Sequence, residues 1–143
     1  MRISTKGRYS LEAMLFLALK EKDEYSSTHE ISEATGISEG YLEQLFIPLR
    51  KAGLIQGIRG SHGGYTLGEK GTDICVGDVL RTVESSLKPT PCVEKEYCPD
   101  EDACTCHQTW NDLAETINTH IDSICIKNLV ADYQTTSEPD YTI

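Results

Sequence analysis

Cysteine and histidine side chains are concentrated in one short stretch of this sequence. Cys92, Cys98 and Cys104 follow one another with five residues between neighbours, and His107 comes three residues after Cys104. Thiolates and imidazoles are the side chains that hold iron–sulfur clusters or zinc in proteins. If a helix starts near Cys104, its side chain and that of His107 share a face, and the loop before them lets the other thiols reach. The spacing therefore predicts a metal site formed by these four residues.

The ligand types alone do not decide between an iron–sulfur cluster and zinc. The gaps are longer than the C-x-x-C spacing of most structural zinc sites, which favours a cluster. Unlinked thiols or a disulfide are the alternative, but an odd number of evenly spaced cysteines in a polar loop fits a metal better. Cys106 is interpreted as a bystander. Cys75 and Cys125 have apolar neighbours and are interpreted as core residues.

The chain that must position these residues is small and unevenly charged. It has 143 residues, is 38% hydrophobic and carries a formal net charge of −10. Residues 1–70 hold nine basic and nine acidic side chains, whereas residues 71–143 hold four basic and fourteen acidic ones. A neutral half with basic residues on one side can face nucleic-acid phosphates, while the acidic half would point away. Because neither a membrane span nor a signal peptide is indicated, we expect a cytoplasmic protein.

The first half has the pattern of a winged helix-turn-helix domain. Apolar periodicity predicts helices over residues 5–22, 28–35 and 38–53. Ser27 and Ser38 are expected N-caps, and Gly36 separates the second and third helices. Two strands over residues 54–59 and 65–67 follow and would form the wing. The predicted fold class is mainly α, with this two-stranded wing.

Exposed residues at the start of the third helix would meet base edges in the major groove. Gln44 can bond adenine through two hydrogen bonds, while Glu43 can accept from cytosine N4 but repels phosphates. Arg59 would lie at the wing tip, where a cation can enter a narrow minor groove. A helical domain with merely solvated polar residues, or a protein-interaction module, is the alternative. The residues predicted to contact DNA are Arg2, Lys6, Arg8, Ser38, Tyr41, Glu43, Gln44 and Arg59.

The second half is predicted to contain one long helix, from about Cys104 to Tyr133. Apolar side chains recur along it at steps of three or four residues, which favours a coiled-coil seam. They are Trp110, Leu113, Ile117, Ile121 and Ile124. A core-facing helix is the alternative, but few other elements are available to cover this face. We therefore expect a homodimer that reads a pseudo-palindromic operator in double-stranded DNA.

These elements divide the chain into four segments. A winged helix-turn-helix DNA-binding domain is expected over residues 1–85, and a cluster-binding loop over residues 86–106. A dimerisation helix is expected over residues 107–133 and a flexible tail over residues 134–143.

Three segments of the chain resemble a known family. They are the opening from Met1 to Tyr9, the third-helix segment from Tyr41 to Phe46, and the wing from Arg59 to Tyr65. Together they resemble the winged-helix transcription factor family of the iron–sulfur cluster regulator IscR. The spacing of the predicted metal ligands is similar to the cluster site of that branch. The resemblance covers about residues 1–133.

The resemblance implies a homodimeric transcription factor with a 2Fe–2S cluster on three cysteines and one histidine. Such a regulator senses iron–sulfur status, represses iron–sulfur assembly genes and receives its cluster from the assembly machinery. The resemblance also assigns DNA readout to Tyr41, Glu43, Gln44, Arg59 and Gly60, and it implies that Glu43 makes the choice of DNA site depend on the cluster.

The chain departs from the family pattern at several positions. Gly40 lacks a hydroxyl that could contact DNA, the third helix carries Ile47-Pro48, and Cys106 is an additional thiol. A nitric-oxide-sensing branch uses an acidic ligand near the start of the first helix. Lys6-Gly7-Arg8 at that place disfavours this branch.

Two other function classes stay open at this point. One is a small electron carrier or redox enzyme, but the chain lacks a thioredoxin-like C-x-x-C and a catalytic constellation that can be placed, so no enzyme is expected. The other is the same DNA-binding scaffold with a zinc or thiol-redox switch instead of a cluster.

Overall fold

The computed structural model describes residues 1–93 and 104–137. Its elements in chain order are α1 (Thr5–Ala18), α2 (Thr28–Thr35), α3 (Glu39–Lys51), β1 (Ile55–Ile58), β2 (Gly64–Leu67), α4 (Val76–Val83), α5 (His107–Ser123) and α6 (Ile126–Ser137). Short 3-10 turns form at Gly71–Asp73 and Pro91–Val93. The described part contains no helix that is both long and apolar enough to cross a membrane.

The α2 and α3 helices form the predicted helix-turn-helix, and local signals set their ends. The Ser27 hydroxyl accepts a hydrogen bond from the Glu30 amide at 3.1 Å, and the Ser38 hydroxyl accepts one from the Tyr41 amide at 3.3 Å. Each bond satisfies a backbone donor that a helix start leaves unpaired. Gly36 ends α2 with a φ of +76°, a conformation that glycine adopts without a steric penalty.

The main core lies where α1, α2, α3 and α6 meet. Its fully buried side chains include Met14, Ile31, Leu42, Leu49 and Ile126. These side chains anchor one face of α3 and leave the opposite face to solvent. A smaller cluster of Val76, Leu80 and Leu87 lies against Ile121 and Ile124 near the end of α5.

The wing is a hairpin of β1 and β2, with Ile55 opposite Leu67 and Ile58 opposite Gly64. Ser26 also pairs with Tyr65 in an isolated antiparallel bridge, which the alternation of residues did not predict. The Ser26 amide donates to the Tyr65 carbonyl at 2.9 Å, and the Ser26 carbonyl accepts from the Tyr65 amide at 2.7 Å. The Tyr65 ring then packs on Phe46 of α3, with 4.6 Å between ring centroids. The wing is therefore held against both helices of the helix-turn-helix.

The structure corrects the predicted single helix of the second half. The chain leaves the helical conformation after Ser123, and a second helix starts at Ile126. The Ile124 carbonyl accepts from the Val76 amide at 2.8 Å, and the Ile126 amide donates to the Ile74 carbonyl at 2.9 Å. These bonds to the start of α4 replace two bonds of a continuous helix.

Two predicted helix ends also differ from those in the structure. The first helix ends at Ala18 rather than at residue 22. The α6 helix continues to Ser137, so residues 134–137 are helical instead of belonging to a flexible tail. The rest of that predicted tail, residues 138–143, lies outside the described residues.

Candidate nucleic-acid interface and metal centre

The exposed face of α3 carries the residues predicted to read base edges. Glu43 and Gln44 are both exposed, whereas Leu42 and Leu45 on either side of them are buried. The Ser38 side chain is engaged as the N-cap of this helix, so its position is fixed by its bond to the Tyr41 amide. A helix anchored in this way offers rigid polar groups to a groove, which base readout requires.

Tyr41 is less available than its predicted role suggests. It is only partly exposed because its ring meets Tyr9 of α1 edge-on, with 5.6 Å between ring centroids. Tyr41 also lines an open hollow together with Lys6 and Ser4 from the start of α1. The structure therefore brings the start of α1 beside the start of α3, as a joint DNA surface would need.

A carboxylate that was not predicted fixes the start of α1. Glu84, just after α4, accepts hydrogen bonds from the Ser4 amide at 2.8 Å and from the Ser4 hydroxyl at 2.9 Å. A negative charge at a helix N-terminus is favourable because it meets the unpaired amides there. Gly7 makes room, since a Cβ at that position would overlap the Glu84 carboxylate. This cap connects α4 with the first basic residues of the predicted interface.

The remaining predicted DNA contacts are on the surface. Arg2, Lys6 and Arg8 are exposed near the start of α1, and Arg59 and Gly60 are exposed in the turn between β1 and β2. The turn is closed by the Gly63 amide, which donates to the Gly60 carbonyl at 3.0 Å.

His29 joins the two helices of the helix-turn-helix, a contact that sequence reasoning missed. Its Nδ1 lies 2.6 Å from Glu39 Oε1 at the start of α3, and its Nε2 lies 3.3 Å from Glu33 Oε1. The hydrogen bond to Glu39 and the charges of Glu33 and Glu39 raise the pKa of His29 above its ordinary value of 6.5. The four-residue spacing from His29 to Glu33 was a usable signal. The bond to Glu39 depends on tertiary structure.

Two of the three described members of the predicted metal site, Cys104 and His107, lie at the start of α5. Cys104 and His107 are joined by one turn, in which the His107 amide donates to the Cys104 carbonyl at 3.4 Å. The His107 Nε2 lies 2.9 Å from the Asn111 side-chain amide, one helical turn further on. Cys92 belongs to the 3-10 turn Pro91–Val93, which packs against α5. Its Sγ lies 2.9 Å from the Thr90 hydroxyl.

Cys98, the third predicted thiol ligand, lies outside the described residues. Within residues 1–93 and 104–137, no three His, Cys, Asp or Glu side chains are grouped closely enough to hold a metal ion. Cys92 and Cys104 are free, partly exposed thiols, and they fit a cluster in their donor chemistry. Cys106 is exposed, and its place immediately before α5 also puts it near the predicted ligands.

An ion pair ties the end of α5 to α4. The two guanidinium nitrogens of Arg81 donate to the two carboxylate oxygens of Asp122 at 2.8 and 2.9 Å, and one of them also donates to Asn118 at 2.9 Å. The Asp122 bond raises the pKa of Arg81, and the Arg81 bond lowers that of Asp122. This two-pronged geometry fixes orientation as well as distance. The α4 helix in turn packs against α1 and α3, which carry the predicted DNA contacts.

The predicted dimerisation residues fall into two groups. Ile121 and Ile124 pack on the small cluster of Val76, Leu80 and Leu87 within the chain. Trp110 and Ile117 are half-buried, and Leu113 is 41% exposed. No residue of α5 is fully buried in the described structure.

Comparison with known proteins is consistent with this architecture. A family model described as "Rrf2: Iron-dependent Transcriptional regulator" matches residues 3–132. The chain is 45% identical over 130 residues to the "HTH-type transcriptional regulator IscR" of Yersinia enterocolitica, covering 91% of this chain and 79% of that protein. It is 44% identical over 130 residues to the protein of the same name from Serratia proteamaculans, with the same shares covered.

Two solved structures share the fold. IscR of T. potens superposes with a TM-score of 0.75 and 36% identity, covering 98% of this chain and 93% of that one. CymR, described as the global cysteine regulator of B. subtilis, gives a TM-score of 0.75 and 36% identity over 92% of this chain and 97% of that one. Because the two scores are equal, the fold alone does not separate the signals that such proteins sense.

Proposed function

Because this chain belongs to the Rrf2 family of transcriptional regulators, which are not enzymes, we propose that it binds a specific DNA operator as a homodimer and senses iron–sulfur status. The observation that carries the proposal is the anchored α3 helix, which presents Glu43 and Gln44 to solvent beside a wing bearing Arg59. Each chain would place one α3 in the major groove of a half-site.

Base selectivity is assigned to the polar residues of α3. Gln44 would donate to and accept from one adenine edge, whereas Glu43 gains only where a cytosine N4 amine can donate to it. At other sequences its carboxylate stays near phosphates and costs binding energy, so Glu43 selects against most sites. Arg2, Lys6 and Arg8 at the start of α1 would contact phosphates, which adds affinity without sequence preference.

The cluster ligands in this proposal are Cys92, Cys98, Cys104 and His107. The donor set fits a 2Fe–2S cluster, which when bound would supply a redox-active centre that can be oxidised or lost. Asn111 holds the His107 ring through its side-chain amide, the usual task of a residue next to a ligand. The Arg81–Asp122 pair connects the helix that starts at His107 with α4, and so with the helices that carry the DNA surface.

The proposed consequence is control of iron–sulfur assembly genes, with the assembly machinery as the cluster donor. A ligand shifts a conformational equilibrium only by its differential affinity for the two states. The cluster would therefore act by favouring one placement of α5 on α4. The carboxylate of Glu43 would make the cluster-free form reject some operators, with repression as the outcome at operators that overlap a promoter.

The proposal is tested by selecting DNA sites from a random duplex library with the full-length chain. We expect two-fold symmetric sites to be enriched. Gln44→Ala should weaken binding to the selected site by about 1–3 kcal/mol and relax the preference at one base position. Gln134→Ala makes the same change on α6 and should leave affinity unchanged.

A second substitution tests whether the choice of DNA site depends on the cluster. Glu43→Ala should let the cluster-free protein bind sites that the wild-type cluster-free protein rejects. Failure of the library to yield any enriched sequence would refute specific DNA binding, whereas unchanged selectivity in Glu43→Ala would remove only this residue from the switch.

A further inference from the structure

Two cysteines outside the predicted cluster site face each other directly. Cys75 and Cys125 are partners in an isolated antiparallel bridge. The flanking bonds run from the Val76 amide to the Ile124 carbonyl and from the Ile126 amide to the Ile74 carbonyl. The cysteines therefore occupy a non-hydrogen-bonded pair, in which opposite Cα atoms are about 4.5 Å apart. That separation falls inside the range of about 4.4–6.8 Å found for disulfides.

Both thiols stand at the start of a helix and can be reached by small reagents. Cys75 immediately precedes α4 and Cys125 immediately precedes α6, and both are free and partly exposed. The Lys127 ammonium, which donates to Asp73 at 3.0 Å, also interacts electrostatically with Cys125.

The two thiols differ in their surroundings, which sets an order of reaction. The Cys75 Sγ donates to the Asp78 carboxylate at 3.1 Å. This bond, followed by burial, raises the pKa of Cys75 and keeps it a thiol. The first nucleophile is therefore Cys125, because the Cys75 proton is held by the Asp78 carboxylate.

We propose that Cys75 and Cys125 form a second, separate thiol site that closes reversibly into an intrachain disulfide when a low-molecular-weight disulfide is present. The Cys125 thiolate attacks one sulfur of that reagent, the reagent's S–S bond breaks, and one small thiolate leaves. Cys75 then gives its proton to Asp78 and attacks the Cys125 sulfur, which releases the second small thiolate. Two protein thiols are oxidised, and one small disulfide is reduced to two thiols.

The bond would fix the junction of α5 and α6 to the start of α4. The closed loop contains α4, all four predicted cluster ligands and the whole of α5. The Arg81–Asp122 pair lies at the same junction, so the disulfide would hold α5 on α4 even when that ion pair is broken. The position of α5 on α4 would thereby respond to the ratio of small disulfides to thiols, through a site that is separate from the predicted cluster ligands.

The test uses the full-length chain with its other four cysteines, Cys92, Cys98, Cys104 and Cys106, replaced by serine. The chain is incubated with oxidised glutathione, and thiols are titrated and unreduced peptides mapped by mass spectrometry. We expect both remaining thiols to be lost into a peptide linking residues 75 and 125 of one chain. The midpoint of thermal unfolding should rise by about 10 °C, because the bridge closes a long loop, and dithiothreitol should reverse the change.

Matched variants of the same chain retain one thiol each, through Cys75→Ser or Cys125→Ser. Neither should show the rise in midpoint, and circular dichroism verifies that each is folded. Cys75→Ser, which retains Cys125, should form a glutathione adduct faster than Cys125→Ser, which retains Cys75. The wild-type chain, mapped in the same way, should yield the same linked peptide. The inference would be overturned if Cys75 and Cys125 stay reduced in the folded chain that lacks the other four cysteines, or if they link two different chains. The DNA-binding proposal is untouched by that result.

Discussion

His29 shows how one residue can connect protonation with DNA binding. Its imidazole lies between Glu33 and Glu39, at the start of the helix that carries the predicted base contacts. Glu39 is the main cause of the raised pKa of His29, so the protonated form is favoured in the folded protein. The imidazolium neutralises carboxylates that would otherwise repel phosphates nearby.

The affinity for DNA should therefore fall as the pH rises through the pKa of His29. Folding stability should change in the same direction. The ion pairs of His29 contribute fully below its ordinary pKa of 6.5, and their contribution is lost as the pH rises through the raised pKa of the folded protein. We expect His29→Gln to weaken binding near pH 6 and to flatten the dependence measured by fluorescence anisotropy between about pH 6 and 8.5. His120→Gln on α5 is the matched control. An unaltered pH dependence in His29→Gln would show that other groups cause it.

Single residues could be predicted from the sequence where their role is local. Ser27 and Ser38 were identified as caps because the bonded amide lies three residues ahead of each. His29 and Glu84 were missed because their partners Glu39 and Ser4 lie ten and eighty positions away. No periodicity records such pairs.

At the scale of elements, the second half shows what periodicity cannot reveal. Ile121 and Ile124 continue the apolar pattern of α5 across the point where the helix ends. The interruption arises because residues Ile124 and Ile126 bond to the chain just before and within α4, a pairing over a long sequence separation. The helix-turn-helix and wing were predictable because turn glycines and N-caps mark their ends within a few residues.

The Glu84 cap gives a prediction about how α4 supports α1. Gly7→Ala would push the Glu84 carboxylate away from the Ser4 amide and hydroxyl, so we expect a loss of about 1–3 kcal/mol in unfolding free energy. Gly40→Ala is the matched control, because a Cβ at Gly40 meets no atom within 4 Å. That helical position should gain up to about 1 kcal/mol. Urea unfolding measures the stability of both variants. If Gly7→Ala is as stable as Gly40→Ala, the assigned role of Glu84 is contradicted.

At the scale of the whole molecule, α5 is a long helix without a single fully buried residue. Its Trp110, Leu113 and Ile117 lie toward the N-terminal side of the residues that pack on α4. A helix of this length is marginal in water without an apolar partner. We therefore assign the α5 face to the two-fold interface of the proposed homodimer.

The structure shows which substitutions test that interface without damaging the chain. Leu113→Asp with Ile117→Asp should give a folded monomer, because neither residue belongs to the clusters formed within the chain. Ile121 is unsuitable, since it packs on Val76 and Leu80. Thr116→Asp with Thr119→Asp adds the same charge to exposed positions of α5 and should remain dimeric. Sedimentation velocity distinguishes the two states, and a persistent dimer in the first variant would place the interface elsewhere.

Comparison of folds does not decide which group the predicted cluster site binds. The four predicted ligands came from spacing and resemblance. The structure places Cys104 and His107 at the start of α5 and Cys92 in the turn Pro91–Val93, whereas Cys98 lies outside the described residues. These ligands were predicted from their side-chain chemistry and spacing. The shape of the fold does not identify them, because IscR and CymR superpose on this chain equally well.

The most direct measurement is the iron and acid-labile sulfide content, with visible absorbance, of the full-length chain purified without oxygen. We predict about two irons and two sulfides per chain. Both should be lost in a variant with Cys92, Cys98 and Cys104 replaced by alanine, and retained in Cys106→Ala. Zinc in place of iron, or no metal in the wild-type chain, would contradict the cluster and turn the segment into a zinc or thiol-redox switch on the same DNA-binding scaffold.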